Sequence, residues 1–148
     1  MVPPGLPFAI YVLLAQGAGT YLVHCPAHYI VGRVLGLSFR TIRLGRTTLA
    51  RVLPARLAGL ARLVPILTLS TDKASLAKAS KGRAAAMYAS GTVASVSSAF
   101  VIAVVATTTE AFLPAVIAWL VAIGYLMFDV VFSPKSGDIM KARSALGG

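Results

Sequence analysis

From Ala84 to Thr108 the chain runs for twenty-five residues without a charged side chain. As an α-helix that run would extend about 37 Å, more than the hydrocarbon thickness of a bilayer. A second uncharged run, Leu6–Val23, would cover about 27 Å as a helix. A third, Ala111–Phe132, is interrupted only by Asp129. With 57% hydrophobic and 12% charged residues, 148 residues offer too little polar surface to bury three such helices in water. The expected fold is an all-α integral membrane protein forming a single membrane domain. About three transmembrane helices are expected, at 6–23, 84–108 and 111–132.

The second and third spans carry small residues at helical spacing. Gly91, Ser95 and Ala99 recur every four residues, and Ala118 and Ala122 form a similar stripe. Inside a bilayer such stripes let helix backbones approach closely, so these residues are expected to pack against neighbouring helices. Trp119 lies too near mid-span for an interfacial aromatic and is expected against a partner helix. Thr107–Glu110 is the only polar break between the two spans and predicts a tight helical hairpin with Glu110 near the helix start.

Charge is distributed unevenly. Residues 1–71 hold seven arginines and no acid, within a net charge of +10. All seven fall in 33–67, where Arg40, Arg51 and Arg62 are spaced by eleven residues, about three helical turns. Arg33 falls near the same line. Several arginines in mid-bilayer would oppose insertion, so 33–67 is expected to lie along the interface as a basic amphipathic helical element broken near Pro54. Arg33, Arg40, Arg43, Arg51 and Arg62 are the candidate contacts for anionic lipid or a partner subunit. A polar loop is expected at 68–83, where Ser70 or Thr71 would cap a short helix, and a polar tail at 133–148. Three spans put both basic regions on one side, the cytosol, matrix or stroma, with the amino terminus opposite.

Two features carry ligand chemistry. His24 and His28 are four residues apart beside Cys25 and could present metal or haem ligands on one helical face. Pro26 disturbs that geometry and no further ligand lies nearby, so they are weak candidates and no metal or other cofactor is expected, anionic phospholipid such as cardiolipin apart. Asp129 is an ionisable residue inside an apolar run, which marks a candidate ion pathway, although Lys135 is close enough to pair with it.

No phosphate-binding glycine loop, zinc-spaced cysteine set or nucleophilic triad is present, and the arginines lack the aromatic interleaving of a nucleic-acid surface. No enzymatic activity is expected. The residues point to a non-catalytic accessory subunit of a larger membrane complex, with a respiratory or ATP synthase type assembly of the mitochondrial inner membrane preferred. A plastid or bacterial plasma membrane would serve the same physics. The alternative is a small oligomeric transporter or channel using Asp129. A third reading is a haem- or pigment-binding subunit through His24 or His28.

Overall fold

The structure, a computed structural model, describes residues 6–46, 65–109, 111–131 and 133–147. It is mostly helical. Helix α1 (Leu6–Val34) leads to strands β1 (Phe39–Arg46) and β2 (Pro65–Thr71), a short helix α2 (Lys73–Lys78), the long helices α3 (Lys81–Thr107) and α4 (Phe112–Val131), and the terminal helices α5 (Ser133–Ser136) and α6 (Asp138–Gly147). Three helices are long and apolar enough to cross a membrane: Leu6–Val34, Lys81–Thr107 and Phe112–Lys135.

These three helices pack as an antiparallel bundle. Gln16 of α1 donates from Nε2 to the carbonyls of Ala99 on α3 (3.3 Å) and Ala118 on α4 (2.8 Å), tying all three helices at one level. Around it, Val12, Ala99, Ala103, Ala106, Ala118 and Ala122 form the core, with Trp119 of α4 edge-on to Phe100 of α3 at 5.7 Å. The alanine stripes of α3 and α4 face inward because, without large side chains between them, the backbones can close. Val101, Val104 and Leu120 remain outside and exposed.

Several boundaries differ from the sequence expectation. The first helix continues through Pro26 to Val34, eleven residues beyond the expected end at Val23. It spans about 43 Å, so its last turns exceed the hydrocarbon thickness. It ends at Gly36, whose φ of 82° suits the left-handed position after a helix, while Leu37 N–H returns to the Gly32 carbonyl.

The largest correction concerns 33–67. The expected interfacial helix is absent from its described parts, where β1 and β2 pair antiparallel, Ile42 opposite Leu69 and Leu44 opposite Leu67. Thr41 and Ile42 are β-branched and suit an extended strand. Arg40 falls in the register irregularity between Phe39 and Thr41, and Arg43 lies opposite Thr68, so the two do not share a helical line. Arg51 and Arg62, with the rest of 47–64, lie outside the described residues, as does Glu110.

The expected polar loop at 68–83 instead contains the end of β2, α2 and the start of α3. Asp72 caps α2 by accepting from Ser75 N–H (3.0 Å), in place of Ser70 or Thr71. The expected polar tail is also corrected. Residues 138–147 form α6, which packs on α3 with Ala142 buried.

Packing at the alanine face generates a direct test. Ala99→Leu, at a fully buried contact, is expected to destabilise the protein by about 1–3 kcal/mol. Val101→Leu, on the exposed side, should stay within about 0.5 kcal/mol. Thermal unfolding of the two purified variants in one detergent distinguishes them.

Candidate metal centre

The ends of α1, α3 and α4 nearest the β-hairpin meet around three side chains from distant parts of the chain. His24 and His28 stand one turn apart on α1, and Asp138 reaches them from the first turn of α6. Asp138 Oδ2 lies 3.0 Å from His24 Nε2 and 3.1 Å from His28 Nε2, and the two Nε2 atoms are 3.3 Å apart. Among the described residues these three form the cluster able to hold a metal ion.

The surrounding hydrogen bonds determine which ring nitrogens are protonated. His28 Nδ1 lies 2.6 Å from the Met87 carbonyl oxygen, which can only accept, so Nδ1 carries the hydrogen. Ser95 Oγ donates to the Thr20 carbonyl (3.0 Å) and therefore accepts from His24 Nδ1 at 3.0 Å. In the neutral rings both Nε2 lone pairs then point at a carboxylate. Three electron-pair donors facing one another repel unless a proton or a cation lies among them.

Metal geometry decides how well a cation fits. Bonds of about 2.0–2.1 Å from Zn²⁺ to imidazole nitrogen and carboxylate oxygen give ligand-to-ligand edges of about 3.3–3.4 Å in a tetrahedron. The observed edges of 3.0, 3.1 and 3.3 Å need open by no more than about 0.4 Å. Backbone and hydroxyl groups on the far ring nitrogens are the usual means of orienting metal-binding histidines.

Gly91 makes the arrangement sterically possible. A Cβ there would collide with the His28 ring, so the residue expected only to ease helix packing also makes room for a ligand. Ser95, one turn further, holds His24, and Ala99 lies against Gln16. Lys141 donates to the other Asp138 oxygen (2.9 Å) and lies over the Tyr88 ring. A cavity of about 480 Å³ opens beside the cluster, lined also by Leu67, Leu69 and Tyr88.

Cys25 borders the same cavity but does not belong to the cluster. Its thiol donates to the Leu67 carbonyl (2.7 Å), and the Leu67 N–H donates to the Tyr21 hydroxyl (3.2 Å), so α1 holds the outer edge of β2.

The other sequence candidates lie apart from the cluster. Arg33 ends α1, Arg40 pairs with Asp72 at 2.9 Å, and Arg43 is exposed on β1. Asp129 is on α4, and no ion pair among the described residues joins it to Lys135. Asp138 was missed because it fell in the presumed tail. The available signal was scarcity, since the chain has only four acids. Comparisons with protein families, curated proteins and solved structures find no match to this chain.

Burial by itself would raise the Asp138 carboxyl, but donation from His24 and His28 Nε2 when protons rather than a cation lie among the three groups, the hydrogen bond from Lys141 and the Lys141 charge outweigh it. They hold the group well below the usual carboxylate range. A depressed acid stabilises the fold above its unfolded pKa, near 4, and that contribution is lost as pH falls through the folded value. Stability of the ion-free protein should therefore fall between about pH 5 and about pH 3 more steeply than that of Asp138→Asn. Chemical denaturation across that interval measures the difference.

Proposed function

We propose that this chain is a non-catalytic membrane protein that binds one divalent first-row transition ion, Zn²⁺ in the first instance, through His24, His28 and Asp138. The observation that carries the reading is the pair of fixed tautomers, which directs two imidazole lone pairs and a carboxylate oxygen at one point. Mixed nitrogen and oxygen donors suit Zn²⁺ and its first-row neighbours better than Mg²⁺ or Ca²⁺. Three protein ligands leave a fourth position toward the cavity.

Hydrolysis would require a base beside the ion. Helix-borne His-x-x-x-His hydrolases carry a glutamate directly after the first histidine. Here that position is Cys25, whose thiol is hydrogen-bonded to Leu67. This favours ion binding without hydrolysis. Arg33, Arg40, Arg43 and Lys141 lie at the same end as the centre, which by the positive-inside rule is the cytoplasmic or matrix side. Service as an accessory subunit that binds anionic lipid at that surface is part of the same proposal.

Purified protein loaded with Zn²⁺ and washed should retain about one ion per chain by elemental mass spectrometry, as a single centre requires. His24→Ala, His28→Ala and Asp138→Ala should each lose it. Gly91→Ala should lose it as well, through displacement of the His28 ring, while remaining folded. Retention of the ion by the His24→Ala, His28→Ala double variant would reject the centre.

A further inference from the structure

Helix α6 borders two separate cavities. Asp138 and Lys141 line the one beside the ion cluster, whereas Ile139 and Arg143 line another, of about 380 Å³, formed with α3 and α4. The walls of this second cavity are mainly apolar, with Val93 and Val96 on α3 and Leu126 and Val130 on α4. Two charged groups border it, Asp129 of α4 and Arg143 of α6. Asp129 Oδ2 is buried without a hydrogen-bond partner. No ion pair among the described residues includes Asp129 or Arg143, so their charged atoms stand more than 4.0 Å apart. An acid and a base held apart across one apolar cavity are the complement of a zwitterion.

A carboxylate in apolar surroundings requires a positive charge or a proton. Arg143, exposed and unpaired with Asp129, leaves that requirement open. Position narrows the ligand. Asp129 lies two residues before the end of α4 at Val131, the level at which hydrocarbon gives way to headgroups if the helix spans a bilayer. Val93, Ser97, Val101 and Val104 follow one another at helical spacing on α3 and are all exposed, so an apolar track leads from the cavity along the outside of the bundle. We infer that the cavity binds the headgroup of one phosphatidylethanolamine, its primary ammonium donating to Asp129 Oδ2, its phosphate toward Arg143 and an acyl chain along the valine track. Phosphatidylcholine carries no N–H to donate to the carboxylate, and an anionic lipid carries no cation to set against it. The site needs the membrane reading but not the metal reading, because none of its residues lines the ion cavity.

The test is a lipid titration of the full-length protein in mild detergent, read by native mass spectrometry. Phosphatidylethanolamine and phosphatidylcholine are compared at identical acyl chains, with free phosphoethanolamine as the headgroup without chains. Phosphatidylethanolamine should bind at one per chain and about tenfold more tightly than phosphatidylcholine, the worth of a hydrogen bond to a charged group. Equimolar phosphatidylglycerol, which has the phosphate but no ammonium, should leave that adduct in place. Asp129→Asn, which removes the charge at constant shape, should remove most of the preference, and Arg143→Gln should weaken both lipids while preserving it. Equal affinity for the two lipids in the parent protein would overturn the inference without any variant having to fold. An unchanged preference in Asp129→Asn would overturn it too. Displacement by equimolar phosphatidylglycerol would do the same, since the cavity would then take a plain anionic lipid. Phosphoethanolamine binding as tightly as the lipid would reject a lipid as the ligand. Each of these outcomes leaves the ion centre standing.

Discussion

Close approach of α1 and α3 is the constraint on which the other features depend. Along that seam, Gly91 faces His28, Ser95 faces His24 and Thr20, and Ala99 faces Gln16. A larger residue at any of the three would separate the helices and displace the polar side chain packed against it. Inside a membrane, association relies on such contacts because lipid is as apolar as the side chains it replaces. The Gln16 amide then links the pair to α4, and the bundle becomes rigid enough to hold two imidazoles in fixed tautomers.

The position of the centre along α1 follows from helix length. A span ending at Val23 would have left His24 and His28 in a loop, free to adopt many orientations. Because α1 continues to Val34, both rings project from one face of a continuous helix and are backed by α3. The β-hairpin adds a wall, latched to α1 through Tyr21 and Cys25, and α6 closes the other side with Asp138. The side chains that complete the site thus come from segments outside the apolar spans. This accounts for a polar cavity at one end of an otherwise alanine-lined bundle.

What could be read in the sequence and what could not divide along physical lines. Long uncharged runs and small residues at four-residue spacing are local properties, and they point to the three long apolar helices and to the small residues buried on α3 and α4. The strands β1 and β2 depend on pairing between residues 19 to 32 positions apart, and eleven-residue arginine spacing carries no information about such pairing. Pro26 disfavours the helical conformation before it, yet tertiary contacts on both sides of it sustain the helix. Asp138 is the residue of the cluster least visible in the sequence. Its importance arises from a contact over more than one hundred residues, which no periodicity in either segment reveals.

Fixed ring tautomers, a glycine that admits a ring and a carboxylate from the last helix are separate observations that meet at one point. Their common explanation is a cation held by His24, His28 and Asp138. X-ray absorption at the zinc edge of the stoichiometrically loaded protein tests this most directly. The account predicts a light-atom first shell at about 2.0–2.1 Å with scattering from two imidazole rings and no sulfur. A sulfur shell at about 2.3 Å, which would implicate Cys25, or the absence of imidazole scattering would contradict it.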